Sequence, residues 1–150
     1  MPSDGAPTKA QSMLEKLKKQ INETVDSVSQ AENETRAQLR ERIDRKAAQV
    51  ESSADSLHQK ASDASETEKS RWQALRASAA AKKEQIGKKI DAREAQLDAK
   101  LARKEADRAE QDAIDAVNFA QVAIEDAEVA VLDALDAYLY AAQYDEDSAL

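Results

Sequence analysis

The stretch AIDAVNFAQVAIEDAEVAVLDALDAYLYAA, residues 113–142, decides the fold class of this chain. Alanine returns in it at spacings of three and four residues, and the same register extends back to Ala92. Every alanine between Ala92 and Ala141 falls on this register. Such spacing places side chains on one face of an α-helix and is typical of helices that pack against other helices. The stretch therefore predicts a long helix with one face of small side chains.

A second row of larger apolar residues lies beside the alanines from Ile114 onward. Because a buried Val, Ile or Leu side chain contributes roughly 1.5–3 kcal/mol, we expect this helix to supply most of the energy of association. The two rows together predict a C-terminal seam, through which the chain would self-associate. The seam consists of Ala113, Ala116, Val117, Ala120, Ala123, Ile124, Ala127, Ala130, Val131, Ala134, Leu135, Ala137 and Tyr138.

Before residue 92 the apolar residues recur every eleven positions, as in the row Leu17, Val28, Leu39, Val50. Eleven residues complete three turns, about 3.67 residues per turn, so the row runs nearly parallel to a helix axis. Trp72 continues this row and is expected to pack there. We predict an all-α fold, in which long amphipathic helices form an elongated coiled coil or a helical hairpin or bundle.

Helix-breaking residues are almost confined to the first seven positions. Both prolines and Gly5 lie there, which leaves Gly87 as the one strong breaker further along. Ser65 followed by Glu68 resembles a capping box, a common helix start. The predicted organisation is a disordered N-terminus over 1–8, a long helix over 9–61, a hinge over 62–67, a second long helix over 68–143 with the alanine register from 92, and an acidic, frayed tail over 144–150.

The residue types that common catalytic sites need are scarce. The chain has no cysteine, one histidine (His58) and two glycines. Thiolate chemistry, a di-iron site built on two Glu-x-x-His pairs and a phosphate-cradling glycine loop are therefore excluded. We predict a protein that is not an enzyme and has no catalytic residues, no metal, no cofactor and no small-molecule substrate.

Charge is divided unevenly along the chain. Residues 111–150 carry ten acidic and no basic side chains, whereas residues 69–108 carry twelve basic and six acidic ones. The basic segment is either a solvated helix flank or a surface that meets an acidic partner, such as the C-terminal helix of another copy. The net charge of −8 and the lack of aromatic residues among the basic ones argue against nucleic acid.

Two functions are consistent with this sequence. The first is a structural or scaffolding coiled-coil protein that forms a homo-oligomer or binds a helical protein. The alternative rests on the eleven-residue rows of residues 13–101, which resemble the lipid-surface helices of exchangeable apolipoproteins and the stress-protective helices of late-embryogenesis-abundant proteins. That resemblance implies a membrane surface as partner. A cytoplasmic location is expected, because neither a secretory signal nor a long uncharged apolar run is present.

Overall fold

The computed structural model describes residues 9–60 and 65–149, and side chains as far as Asp145. Within these ranges every regular element is an α-helix, and no strand occurs. The all-α fold predicted from the sequence is therefore confirmed. The helices are α1 (Lys9–Ala31), α2 (Arg36–Lys60), α3 (Glu66–Glu94) and α4 (Ala99–Ala149).

The chain divides into two compact units. One of them, Gln30–Glu105, contains α2, α3 and the first turns of α4. The other contains α1 as far as Ser29 and α4 from Ala106 onward. The eleven-residue row therefore does not follow one straight helix, because Leu17, Val50 and Trp72 lie on α1, α2 and α3.

The helix predicted over 9–61 is interrupted at residues 32–35. The interruption coincides with a reciprocal capping box, in which the backbone N–H of Gln38 donates to Thr35 Oγ1 at 3.2 Å and that of Thr35 donates to Gln38 Oε1 at 2.9 Å. These bonds satisfy backbone donors that the first turn of a helix leaves without an internal partner. An ion pair between Arg42 and Glu34 also joins the turn to α2. Local side-chain bonding therefore ends α1 and restarts the helix at Arg36.

The helix predicted over 68–143 begins two residues earlier, at Glu66, and is interrupted at residues 95–98. Asp98 caps the new helix, since its Oδ1 accepts from the backbone N–H groups of Lys100 at 2.8 Å and Leu101 at 3.2 Å. The alanine spacing continues through this interruption in the sequence, but the helix does not. The carboxylate accepts hydrogen bonds from two backbone N–H groups that the first turn of a helix leaves without an internal partner. These bonds stabilise a new helix start at this position.

Three smaller expectations concern the remaining boundaries. Residues 1–8, expected to be disordered, and residues 62–64 of the expected hinge lie outside the described residues. Ser65 is the N-cap of α3, and its hydroxyl accepts from the backbone N–H of Glu68 at 3.3 Å. Gly87 lies inside α3 without interrupting it. The acidic tail, expected to fray from residue 144, is helical as far as Ala149.

Candidate association surface

The thirteen seam residues lie together on one face of α4, as the three-four spacing requires. None of them is buried: Ala116, Ala127, Val131, Ala134 and Leu135 are half-buried and the other eight are exposed. Val117, for example, is 69% exposed and Tyr138 66%. The structure thus brings the predicted seam residues together and leaves their apolar surface largely in contact with solvent.

The apolar face is wider than the predicted seam. At 100° per residue, Phe119, Ala141 and Ala142 fall on the same arc, which covers about 160° of the helix. We call these three residues and the seam together the apolar stripe. Between residues 113 and 142 no charged side chain projects from this arc. The acids of that segment all lie on the rest of the helix surface; they are Asp115, Glu125, Asp126, Glu128, Asp133 and Asp136.

The opposite face of α4 carries a second group of apolar residues, which sequence reasoning missed. Val122, Val129, Leu132, Leu139 and Tyr140 lie there, each between 56% and 67% exposed. These residues also recur at helical spacing, but acidic residues lie between them in the sequence, so no continuous apolar row is visible there. A helix that is apolar on more than one face is usually covered by neighbours, and large exposed apolar patches mark binding surfaces.

A different kind of surface joins α2 to α3, which pack as an antiparallel hairpin. Four interhelical ion pairs fix its register: Arg36–Glu94 at 3.8 Å, Arg40–Asp91 at 3.0 Å, Lys83–Glu51 at 3.9 Å and Arg76–Asp55 at 2.7 Å. Residue numbers rise on α2 as they fall on α3, so the helices run in opposite directions.

The apolar contact within the hairpin is small. Among the described residues only Ala54 and Ile90, one from each helix, are buried. Near the connected end of the hairpin the rings of His58 and Trp72 stack, with centroids 6.1 Å apart and planes at 10°. Trp72 therefore packs within the hairpin, against the only histidine of the chain.

Arg40 takes part in two ion pairs, one across the hairpin and one within α2. Its Nη1 donates to Asp91 Oδ1 at 3.0 Å, and its Nε lies 3.5 Å from Asp44 Oδ1. The hydrogen bond to Asp91 raises the pKa of the guanidinium above its ordinary value, helped by the negative charges of Asp91 and Asp44 and opposed by partial desolvation. The guanidinium of Arg40 therefore remains positively charged at neutral pH.

The ion pairs border an open groove of about 360 Å³ on one side of the hairpin. Glu51, Asp55 and Arg76 line it together with Gln73 and small alanines. Two of the charged residues that line the groove, Arg76 and Asp55, form an ion pair with each other at 2.7 Å. We call this the polar side of the hairpin.

Much of the basic segment 69–108 is engaged within its own unit. Arg76 and Lys83 pair across the hairpin, Arg93 pairs with Glu105 at 3.4 Å, and Lys88 pairs with Glu84 at 3.0 Å. The interpretation of this segment as a solvated flank is thus incomplete, because part of it determines the hairpin register.

Comparison with protein-family models, curated proteins and solved structures finds no match. In the described part of the chain, no helix has the length and apolarity needed to cross a membrane. The same residues include no group of three or more His, Asp or Glu side chains arranged to hold a metal ion. The two surfaces described above, the apolar stripe of α4 and the polar side of the α2–α3 hairpin, are the candidates for function.

Proposed function

We propose that this chain is a non-enzymatic structural protein of the cytoplasm that self-associates through α4 in coiled-coil fashion. The observation that carries the proposal is the apolar stripe, an arc of about 160° without a charged residue between residues 113 and 142. None of the described side chains of α4 is buried. Covering an apolar surface of this extent with another helix lowers the free energy.

The composition of the stripe indicates helix packing as the mode of association. Alanines allow two helix axes to approach to the short end of the ~8–10 Å range, while larger side chains fill the space between them. Val117, Ile124, Val131 and Leu135 recur at spacings of seven and four residues and supply the larger contacts. A scaffold protein needs an interface of this kind and no reactive group.

Sedimentation equilibrium of the full chain, together with circular dichroism, tests the proposal. We expect a helical chain that associates at concentrations on the order of micromolar, since a stripe of moderate area must also overcome the entropic cost of association. A chain that is helical and strictly monomeric at ten times that concentration would refute self-association.

A second candidate function is binding to a lipid surface, and α1 supports it. Met13, Ile21, Val25 and Val28 lie on one face of this helix and are 41–60% exposed. Lys9, Lys16, Lys18 and Lys19 give its first half a positive charge. An amphipathic helix with lysines beside its apolar face binds anionic membrane surfaces.

Vesicle flotation separates the two candidates. The lipid function requires the chain to float with phosphatidylserine-containing vesicles and to lose this binding on Val25→Asp. The change Asp26→Asn on the polar face, which removes a negative charge, should leave it intact. Flotation that is unaffected by Val25→Asp would exclude α1 as the lipid-binding element.

A further inference from the structure

The side of the α2–α3 hairpin opposite its polar side is apolar. On α2, Glu51 and Asp55 lie to one side of the line that faces α3. At 100° per residue, a row of larger apolar residues lies to the other side of that line. This row consists of Leu39, Ile43, Val50 and Leu57.

Helix α3 has the same asymmetry. Arg76 and Asp91 lie on its polar side, and a row of apolar residues is offset in the opposite direction. Because the two helices are antiparallel, equal angular offsets on each place both rows on the same side of the hairpin. The α3 row consists of Trp72, Leu75, Ala79, Ile86 and Ile90.

Because both rows lie on the same side of the hairpin, we call the surface between them the apolar groove. It extends over nineteen residues on each helix, from Leu39 to Leu57 and from Trp72 to Ile90, or about 27 Å. Val50, Leu57 and Leu75 are 43%, 44% and 48% exposed, Ile90 is buried, and the other residues of the two rows are half-buried. A two-helix hairpin with an open apolar groove has the form that a third helix completes.

Basic residues border the apolar groove on both outer edges. The acids of α2 (Glu41, Asp44, Glu51, Asp55) all lie toward the polar side. On α3 the exception is Glu68, which bonds to Arg71 at 3.2 Å. We call the bordering cations the basic rims; they are Arg42, Lys46 and Lys60 on α2 and Arg71, Lys82, Lys89 and Arg93 on α3.

The apolar stripe of α4 has the complementary pattern. Asp115, Asp126 and Asp133 follow one edge of the stripe, and Glu128 lies at the other edge. An apolar groove with basic rims thus matches an apolar helix with acidic edges. We propose that the apolar groove of one copy receives the apolar stripe of α4 from a second copy. This inference rests on the proposed function and identifies the partner of the stripe.

The α4 helix of the same chain fits the groove poorly. A helix folded back through the four residues 95–98 would place roughly residues 99–121 alongside residues 72–94. That segment carries four basic and five acidic residues, so it matches the basic rims less well than residues 111–150, which carry ten acids and no basic residue. Most of the apolar stripe would extend past the end of the groove. A second copy has no such tether and can place its acidic stretch against the rims.

Two copies can exchange these surfaces reciprocally. Each copy offers one groove and one stripe, so a two-fold arrangement uses both of each and leaves neither open. The alternative, pairing of two α4 stripes side by side, brings ten acids of each copy together with no basic residue after Arg108. Charge therefore favours the groove over a second stripe as the site that α4 occupies.

Charge reversal on either surface of the full-length chain tests this assignment. The groove variant combines Lys46→Glu with Lys82→Glu, and the stripe variant combines Asp126→Lys with Asp133→Lys. The matched control, Arg45→Glu with Lys88→Glu, makes the same change in net charge on residues that lie away from the groove. Circular dichroism first establishes that each variant keeps its helix content, and sedimentation equilibrium then measures association.

We expect the groove variant and the stripe variant each to associate at least about tenfold more weakly than the parent, since two pairs are reversed in each of two equivalent interfaces. The control should stay within about twofold. An equimolar mixture of the two variants should recover the parent's association, because each acidic groove then meets a basic stripe and each basic groove an acidic one.

Other outcomes overturn the inference in distinguishable ways. A monomeric parent overturns the proposed function and, with it, the groove assignment. A parent that associates, with a groove variant that associates equally well, overturns the groove alone and favours pairing between stripes. A monomeric parent that floats with phosphatidylserine vesicles, while the groove variant does not, assigns the groove to a membrane surface instead.

Discussion

The α2–α3 hairpin and α4 differ in the kind of surface that each offers to another helix. In the hairpin, acidic and basic side chains face each other across the two helices, and four ion pairs align them, although only Ala54 and Ile90 are buried among the described residues. In α4 the apolar stripe runs from residue 113 to residue 142, but the charges after Arg108 are all negative. The hairpin pairs within the chain through charge, whereas the association proposed for α4 requires a partner surface that is both apolar and basic.

The largest expected effect follows from placing a charge on the stripe. Ala120→Glu combined with Ala127→Glu introduces two unpaired carboxylates and extra bulk where a partner helix must pack closely. Each should cost on the order of 3 kcal/mol of association free energy, so sedimentation equilibrium should find a monomer. Asn118→Glu, which places the same side chain on the opposite face of α4, should have little effect. Equal losses from both would mean that the stripe is not the interface.

The buried residue of the hairpin should matter more for folding than an exposed residue of α4. Ile90 is 6% exposed, and Ile90→Ala should lower the free energy of unfolding by about 2 kcal/mol or more. Ile114→Ala makes the same change where the side chain is 46% exposed, and should cost little. Thermal unfolding followed by circular dichroism compares them; a larger loss at Ile114 would reverse the contrast between the regions.

Salt should weaken association if acidic α4 meets the basic rims. Raising ionic strength from about 0.1 to 1 M shortens the screening length from about 10 to about 3 Å, which removes most of the attraction between exposed charges. We expect the association constant of the full chain to fall by about tenfold. Direct pairing of two acidic helices predicts the opposite sign, because salt would relieve their repulsion. Sedimentation at the two salt concentrations therefore decides between docking of the stripe in the basic-rimmed groove and direct pairing of two α4 helices.

Gly87 offers a way to strengthen the hairpin. A Cβ at this position would meet only Arg40 Nη2, at 3.9 Å, which is ordinary van der Waals contact. Gly87→Ala should therefore raise the free energy of unfolding by up to about 1 kcal/mol, the usual difference in helix propensity. Ala74→Gly, at an exposed position of the same helix, should lower it by a similar amount. A destabilising Gly87→Ala would mean that the Arg40–Asp91 pair needs the glycine.

The smallest effect concerns the start of α3. Ser65→Ala removes the hydroxyl that accepts from the backbone N–H of Glu68, and should cost about 1 kcal/mol or less. Ser70→Ala, one turn further into the exposed helix, should be neutral or slightly stabilising because alanine has the higher helix propensity. Comparing the two melting temperatures shows whether this cap determines where the hairpin begins. If both substitutions shift the melting temperature equally, the Ser65 cap does not determine where α3 begins.

Helix content could be predicted from the sequence, but helix boundaries only in part. Ser65 with Glu68 was identified because it follows a polar stretch, and Ser65 caps α3. Thr35 with Gln38 is an equally good capping box, and Asp98 is a strong cap, yet both lie in stretches whose residues favour helix. A single cap is worth about as much as one unfavourable residue in a helix. The capping box at Thr35 and the cap at Asp98 are thus the sequence signals that mark the interruptions at residues 32–35 and 95–98.

What the sequence by itself determined is the helical state and the composition of the α4 face, because both follow from residue type and spacing along one helix. Which side of α2 and α3 is apolar and which is ionic was decided only by the tertiary structure. Arg40 and Asp91 are fifty-one positions apart, and no local period specifies that they meet. Once the antiparallel pairing brings them together, the handedness of both helices places Leu57 and Leu75 on the other side. The apolar groove is a property of the pair, and neither helix alone contains it.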